Sequence, residues 1–255
     1  MKLTLDVENT VTHRGGKMHL DPFEPENSLT MVGVLTDQGV EQHFPFDHEE
    51  HLSKRNYFDQ VQWYLDNATV LICHNVAHDL LWLWESGFKY DGAVFDTMLV
   101  DYVLQRGIKE PLSLEACANR YDLATKKQDT LKEYFKRGYS TKDIPLDELA
   151  EYLSADLHAT QQLADKLWYR LNTEADAGLL STVRLTNRVA KCLTKIYQTG
   201  FAVDSTKLEE VRSEFEQEKR QLTADLQSHV RKLMGDTPIN LNSPEQLSWV
   251  IYSRK

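Results

Sequence analysis

Two carboxylates stand two residues apart near the start of the chain, in the segment LTLDVEN. Side chains at i and i+2 of a strand share a face, so Asp6 and Glu8 would project together with their backbones about 7 Å apart. At an effective dielectric near 20 their mutual repulsion costs about 2.4 kcal/mol, and a bound divalent cation would turn it into attraction. The pattern therefore predicts either a metal-binding pair or the solvated outer face of an edge strand.

Two further pairs of polar residues have helical spacing. Asn75 and Asp79 are four apart at the start of a predicted helix that follows a short strand, and strand ends are where sites concentrate in α/β sheets. Tyr152 and Asp156 repeat this spacing in a later predicted helix. Each pair also has a structural interpretation: Asn75 as a helix cap, Asp79 as a first-turn acid, and Tyr152 with Asp156 as surface residues.

The three groups together supply four carboxylates, those of Asp6, Glu8, Asp79 and Asp156. Four are enough for two hard divalent cations about 3.5–4 Å apart, the arrangement that clamps a phosphodiester during hydrolysis. His74 and His78 have the i, i+4 spacing of a helical zinc pair, but no H-E-x-x-H pattern or obvious third ligand accompanies them. A zinc protein built on these histidines is therefore the weaker hypothesis.

The sequence pattern predicts the elements that must position these residues. Residues 2–7 alternate as a half-buried strand, the segment 9–27 with its glycines and prolines is typical of a loop, and SLTMVGVLTDQGVEQHFPF predicts a hairpin. Helical spacing over 48–66 followed by the β-branched run TVLIC predicts a helix and a buried strand, which favours parallel pairing. AVF predicts another short strand, Asp96 a cap for the helix DTMLVDYVLQRG, and 145–171 a long helix.

No convincing strand follows residue 172. Helices are predicted near 178–199, and from Asp204 or Ser205 to Gly235. The predicted architecture is α/β: a mixed sheet of three antiparallel strands and then parallel strands, flanked by helices, with an all-helical hairpin as an appendage. The corresponding domains are 1–172 and 173–255.

The bulk composition narrows the function classes. Hydrophobic residues form 41% of the chain, an ordinary value for a globular protein, and no apolar run approaches the roughly 20 residues of a spanning helix. We therefore expect no membrane partner and a cytoplasmic location, with the three distant cysteines reduced. The formal net charge of −10 argues against broad, non-specific duplex binding. A basic stripe at helical spacing is either a DNA phosphate contact or a solvated helix face, and consists of Arg184, Arg188, Lys191 and Lys195.

The motifs, in their order along the chain, resemble a known family. D-x-E in the first strand, N-x-x-x-D after a later strand and Y-x-x-x-D in a late helix are similar to the DEDD superfamily of 3′–5′ exonucleases, in its tyrosine subgroup. FDTMLVDYVL resembles a helix in the proofreading domains of family-A DNA polymerases, of polymerase I and phage type. The resemblance covers about residues 1–170 and implies an RNase H-like sheet.

The last part of the chain extends the resemblance. IYQTGFAVDSTKLEEVRSEFEQEKRQLTADL and INLNSPEQLSWVIYSRK, with the phrase N-x-x-S-x-x-Q-L, are similar to the start of the polymerase module and the base of its thumb. The palm and fingers motifs do not occur in this sequence, so we expect no polymerase activity from it. The chain is then either an excised fragment or a separate exonuclease polypeptide, and a separate polymerase chain docking on 173–255 is the partner that this implies.

The resemblance also implies a metal site. Asp6, Glu8 and Asp156 would hold one divalent cation, Mg²⁺ or Mn²⁺, together with the attacking water. Asp6 would share a second cation with the scissile phosphate, and Asp79 would hold that cation through water.

Roles toward water and substrate are implied in the same way. Tyr152 would orient the attacking water or help to deprotonate it. Asn75 would help to hold the terminal nucleotide or the metal-binding helix. The family's first motif reads D-x-E-T, whereas Asn9 follows the glutamate here, and Thr10, one residue later, becomes the candidate substrate contact.

The implied activity is the removal of nucleotides from the 3′ end of single-stranded or frayed DNA by two-metal-ion hydrolysis. An RNase D-like exoribonuclease shares the tyrosine-type site, and the polymerase-like tail is what favours DNA. A rival from another class is a catalytically silent, polymerase-derived module that binds single strands or a partner. Concentrated carboxylates argue against that rival because they repel phosphates. For a phage-encoded chain, the expected location is the cytoplasm of the bacterial host.

Overall fold

The computed structural model describes residues 1–50, 57–123, 129–173 and 176–252. The strands in these ranges are β1 (Lys2–Asn9), β2 (Thr12–Arg14), β3 (Lys17–His19), β4 (Leu29–Thr36), β5 (Glu41–Pro45), β6 (Val70–Cys73) and β7 (Ala93–Asp96). The helices are α1 (Phe58–Asn67), α2 (Val76–Glu85), α3 (Thr97–Leu104), α4 (Leu114–Arg120), α5 (Asp129–Lys136), α6 (Leu146–Thr173), α7 (Leu180–Thr199), α8 (Ser205–Met234) and α9 (Pro244–Tyr252). Short 3₁₀ turns lie at Thr141–Asp143 and Ala177–Leu179.

Five strands form one mixed sheet in the order β5-β4-β1-β6-β7. β1 pairs antiparallel with β4, and β4 with β5, whereas the β1–β6 and β6–β7 pairs are parallel. The predicted mixed sheet flanked by helices is thus confirmed. The direction of each strand follows from its connection, because β5 follows β4 through a tight turn at Gly39, while β6 and β7 are each reached through a helix.

The segment 9–27 differs from the predicted loop, because β2 and β3 form a small antiparallel hairpin within it. Gly15 and Gly16 make the turn with φ of 60° and 74°, as two-residue hairpin turns with positive φ at both central positions require. Each strand has only three residues and no alternation of apolar side chains. The period that identifies a strand in a sequence is therefore missing here.

Helices cover both faces of the five-stranded sheet. The odd-numbered side chains of β1 from Leu3 to Val7 are buried in a core shared with α1 and α2. The even-numbered side chains project to the opposite face, where α6 packs, and the Thr4 hydroxyl hydrogen-bonds to the Gln161 side chain of that helix. The two carboxylates of β1 therefore lie on the α6 side of the sheet.

Gly33 of β4 lies opposite Asp6 in the strand register and sets how closely α6 approaches the sheet. A Cβ atom at this position would lie 2.7 Å from Leu153 Cγ and 2.9 Å from Leu157 Cδ1. Both leucines are fully buried. Glycine is required here for close contact, and the close contact brings the α6 residues Tyr152 and Asp156 toward β1.

The chain divides into two compact units, Met1–Gly200 and Phe201–Lys255. Helix α7 belongs to the first unit, where it packs on α2, α3 and β7. The predicted domain boundary after residue 172 stays a prediction. Among the described helices, none combines the length and the apolar character that a membrane crossing requires.

Candidate active site

Asp6 lies near the middle of β1, half-buried on the α6 side of the sheet. Burial raises the pKa of Asp6 to about 7, and the charge of Asp156 adds to that effect. Two hydrogen bonds act in the opposite direction, one from the Val7 amide at 3.1 Å and one with Asp79. The structure thus brings carboxylates from β1, α2 and α6 into one electrostatic neighbourhood.

Asp79 occupies the first turn of α2 and is 1% exposed. Burial raises its pKa well above the usual range, and the charges of Asp6 and Asp96 raise it further. Its Oδ1 atom is buried and has no hydrogen-bond partner within the part of the chain that the structure describes. A buried carboxylate oxygen without a donor is costly in free energy, which indicates a group held ready for a cation or a water.

Tyr152 and Asp156 are one turn apart on α6 and face the same site. Burial raises the pKa of Tyr152 most, and the charges of Asp156 and Glu8 raise it further. The Tyr152 hydroxyl also hydrogen-bonds with Asp156. Electrostatic interactions therefore link the five predicted catalytic residues across β1, α2 and α6, with Asp6 acting on Asp79, and with Asp6, Glu8 and Asp156 acting on Tyr152. Among the described residues, however, no group of three or more His, Cys, Asp or Glu side chains has the arrangement of a metal site. The roles of these residues stay predictions.

Asn75 precedes α2 in the left-handed conformation, with φ of 77°. Asn75 occupies the N-cap position of α2, as its interpretation as a helix cap requires, but its side chain makes no capping hydrogen bond. Instead, the buried Asp96 carboxylate accepts hydrogen bonds from the backbone amides of Asn75 and Val76, at 3.1 and 2.9 Å. The same carboxylate accepts the Met98 and Leu99 amides at 2.9 and 3.2 Å, as predicted for the cap of α3.

Asp96 thus caps two helices and holds the turn that presents Asn75 and Asp79. Burial raises the pKa of Asp96, and the hydrogen bonds from these amides oppose that effect. The motif DTML signals a cap for the helix that it begins. No spacing in the sequence signals a cap for α2, which begins twenty residues earlier, because the contact exists only after β6 and β7 pair.

A family model described as 3′–5′ exonuclease matches residues 35–172, more than half of the chain. The chain belongs to this 3′–5′ exonuclease family. It is therefore a nuclease that works from the 3′ end, and exonuclease domains of this kind use divalent metal ions.

Known relatives of this exonuclease domain are DNA polymerases. It is 29% identical over 187 residues to DNA polymerase I of Chloroflexus aurantiacus, covering 71% of this chain and 18% of that protein. It is 25% identical over 240 residues to DNA polymerase I of a Synechocystis species, covering 92% of this chain and 23% of that protein. The chain thus spans about a fifth of the length of these relatives.

Solved structures agree with the fold of the exonuclease domain. One described as the POL domain of Pol1 from M. smegmatis with DNA primer-template and dNTP matches with a TM-score of 0.67 and 20% identity. The match covers 98% of this chain and 37% of that one. Solved nucleases match as well, so the predicted RNase H-like fold is confirmed.

Asn9, which stands where a threonine was expected from the resemblance, is buried and ties the β2–β3 segment to the exonuclease core. Its side-chain amide donates to the Thr10 carbonyl at 2.7 Å and to the Leu20 carbonyl at 3.4 Å. The Thr10 hydroxyl accepts the Ser28 amide at 2.7 Å, a bond that closes the base of the same segment. A contact of Thr10 with substrate stays a prediction.

His74 and His78 are occupied by hydrogen bonds within the exonuclease domain. The His74 ring bonds to the Thr97 hydroxyl and the Leu112 carbonyl, both at 2.8 Å. The His78 ring bonds to Asn9 Oδ1 at 2.9 Å. Burial lowers the pKa of both rings, so both stay neutral near pH 7. Their spacing is explained without a zinc ion.

Proposed function

We propose that this exonuclease removes nucleotides from the 3′ end of single-stranded or frayed DNA, with two divalent cations, Mg²⁺ or Mn²⁺. The observation that carries the proposal is the convergence of Asp6, Asp79 and Asp156. Burial and the charge of Asp156 raise the pKa of Asp6 to about 7, and burial and the charge of Asp6 raise the pKa of Asp79. Such an arrangement stores electrostatic repulsion that a cation would relieve.

The donor chemistry of these residues suits a divalent cation. The donor atoms are all carboxylate oxygens, the ligands that Mg²⁺ and Mn²⁺ prefer. The buried Oδ1 of Asp79, without a hydrogen-bond partner among the described residues, supports the same view. In the proposal, the cations are held by Asp6, Glu8, Asp79 and Asp156, and when bound they neutralise charge on the phosphate and lower the pKa of water.

The other proposed roles belong to side chains near the carboxylates. The Tyr152 hydroxyl, which hydrogen-bonds with Asp156, orients the water that attacks the scissile phosphate. Asn75 directly precedes α2 and positions either the terminal nucleotide or the helix that carries Asp79. Thr10 is the weakest of the proposed substrate contacts because its hydroxyl already bonds with Ser28.

DNA is the proposed substrate because the relatives are DNA polymerases by name. RNA is the alternative, since the tyrosine-type site is shared with exoribonucleases of the RNase D type. The test is hydrolysis of DNA and RNA of equal sequence, labelled at either end, by the wild type and by Asp6→Ala, Asp156→Ala and Tyr152→Phe. We expect metal-dependent shortening of DNA from the 3′ end, loss in both alanine variants, and a reduced rate in Tyr152→Phe. Full activity of folded Asp156→Ala, or activity indifferent to a chelator, would contradict the proposal.

We also propose a polymerase module as the partner of the second unit, Phe201–Lys255. None of the α8 side chains is buried, and its exposed apolar residues include Phe215, Leu222 and Leu226. The relatives are about five times longer and are polymerases by name. Gel filtration of the chain mixed with the polymerase module from the same organism tests this proposal. We expect the two to co-migrate, and Leu222→Glu/Leu226→Glu to abolish the co-migration.

The cytoplasm is the proposed compartment of the chain. Its three cysteines, Cys73, Cys117 and Cys192, are free thiols, as is usual for proteins of a reducing compartment.

A further inference from the structure

A groove with a volume of about 1160 Å³ runs along the outer edge of β7, between that strand and α7. Helix α7 bridges to this edge at two points. Asn187 Oδ1 accepts the Asp96 amide at 2.7 Å, and Lys191 Nζ donates to the Gly92 carbonyl at 3.2 Å. Asn187 thus meets the last residue of β7, and Lys191 meets the residue just before its start, so α7 and β7 run antiparallel. The basic stripe of α7 lines one wall of the groove.

The groove concentrates positive charge on an acidic protein. Its cations are Lys89, Arg184, Arg188, Lys191 and Lys195. Among the described lining residues the one carboxylate is that of Asp91, which pairs with Lys191 at 3.5 Å. Arg184 and Arg188 form no hydrogen bond or ion pair with any described residue, so both guanidinium groups are free to meet an anion. An excess of cations in a concave site attracts phosphates.

The floor of the groove is aromatic, being formed by Trp84, Phe88, Tyr90, Phe95 and Trp168. Lys195 Nζ lies 4.9 Å from the Trp84 ring centroid and Lys191 Nζ 5.9 Å from that of Tyr90. The Trp168 ring packs edge-on against Phe95 at 6.0 Å and is 44% exposed. A fixed, half-exposed indole beside free guanidinium groups suits an unpaired base with its phosphates.

We propose that this groove binds single-stranded DNA upstream of the 3′ end that is being hydrolysed. The proposal rests on the proposed function, because it extends the path of the same substrate. A single strand fits better than a duplex, since only an unpaired base exposes the π-face that stacks on an indole. Because the chain has a formal net charge of −10, we expect its contacts with phosphates to be local, and the groove is where cations are concentrated.

The size of the fold gives the length of strand required. Asp156 and Trp168 are twelve residues apart on α6, a distance of about 18 Å along the helix axis. The stretch of α7 from Arg184 to Lys195 adds about 16 Å. At about 3.4 Å per stacked nucleotide, about five nucleotides reach the groove and about ten fill it.

The experiment compares oligodeoxynucleotides of about 4 and about 16 nucleotides, chosen on that spacing. Binding is measured by fluorescence anisotropy in chelator, and hydrolysis by KM and kcat in Mg²⁺. For Arg184→Gln/Arg188→Gln, we expect binding of the long strand to weaken about 10-fold at about 0.15 M salt, and the slope of log K against log salt to fall by about 1.4. The KM for the long strand should rise by the same factor, while its kcat stays unchanged. For the short strand, both KM and kcat should stay unchanged.

A matched control removes two exposed cations outside the groove, in Lys2→Gln/Lys166→Gln. We expect the control to bind both strands like the wild type. Trp168→Ala should weaken the long strand about 10-fold and Trp168→Phe less, because stacking on an aromatic ring is retained. These substitutions lie at exposed positions, and thermal unfolding checks that each variant folds.

Equal weakening in the groove variant and the control, or unchanged binding of the long strand in Arg184→Gln/Arg188→Gln, would overturn the proposal. Failure of the proposed function is a separate result. If the wild type hydrolyses neither strand but the groove variant still loses long-strand binding in chelator, the groove proposal is supported while the nuclease assignment to DNA falls.

Discussion

Replacing Asp96 with alanine removes one carboxylate that caps two helices. Four backbone amides at 2.9–3.2 Å lose their acceptor, two at the start of α2 and two at the start of α3. Loss of one N-cap costs about 0.5–2 kcal/mol. Asp96 is 1% exposed, so water does not replace the lost acceptor, and the sum for two caps lies near the upper end, at about 3–4 kcal/mol.

The loss in the free energy of unfolding is measured by urea denaturation, monitored by circular dichroism. At about 2–4 °C per kcal/mol for a unit of this size, Tm falls by about 6–16 °C. Asn in place of Asp96 retains Oδ1, which accepts three of the four amides, so Asp96→Asn should cost about 1–2 kcal/mol. Activity of both variants at a temperature where they are folded should fall, because the turn that presents Asp79 is loosened.

The matched control is Ser113→Ala, which removes a single cap from α4. The Ser113 hydroxyl accepts the Ala116 amide at 3.3 Å at an exposed site, so its loss should cost about 0.5–1 kcal/mol with no loss of activity. If Asp96→Ala costs no more than Ser113→Ala, the inference that one buried carboxylate holds both helix starts is refuted.

The remaining predictions concern the carboxylates and the contact of α6 with the sheet. Asp79→Asn should abolish activity yet stabilise the metal-free protein at pH 8, measured by urea denaturation, because burial beside Asp6 opposes ionisation of Asp79 in the folded state whereas the unfolded state ionises it freely. In chelator, the free energy of unfolding should fall as pH rises from about 4 to about 7, since Asp6 keeps its proton in the folded state but loses it in the unfolded state; Asp6→Asn should flatten this dependence. Gly33→Ala should cost about 1–3 kcal/mol and lower kcat, because its Cβ would overlap Leu153, whereas Gly178→Ala, with no atom within 4 Å of the new methyl group and no positive φ, should leave kcat unchanged.

The sheet could be predicted from the sequence because its signals are local. The alternation over residues 2–7 identifies β1, and the helices before β6 and β7 determine their parallel pairing. The hairpin at 12–19 has no such signal, since three-residue polar strands leave only the Gly15-Gly16 turn. That pair of glycines is the one feature from which the hairpin could have been inferred.

The candidate site could be predicted only as a set of residue types. The spacings of Asp6 with Glu8 and of Tyr152 with Asp156 each indicate a shared face, but neither indicates that the two faces meet. Their meeting depends on Gly33, whose missing side chain admits Leu153. The role of Asp96 at the start of α2 also could not be predicted from spacing, because the contact arises from the pairing of β6 with β7. Such long-range contacts are invisible to periodicity.

The chain departs from the family motif D-x-E-T at Asn9, and the hydrogen bonds of this side chain explain the departure. A threonine at this position would lack the amide that donates to the Thr10 and Leu20 carbonyls and the oxygen that meets His78. The side chain is therefore matched to the β2–β3 segment that follows it, which Trp82 also anchors through a hydrogen bond to Leu20 at 3.0 Å. The first motif and the β2–β3 segment form one structural unit, since each supplies hydrogen-bond partners of the other.

The first unit carries carboxylates at β1 and a group of cations in the groove beside β7, and this separation of charge affects the kinetics. The carboxylates at β1 repel a phosphate until a cation is bound, whereas the groove beside β7 attracts phosphates without one. Chelator should therefore stop hydrolysis of short and long strands alike and leave binding of the long strand intact. Added salt should do the reverse, raising KM for the long strand toward that of the short one while kcat stays constant. A loss of long-strand binding in chelator would show that the cations, and not the groove, hold the substrate.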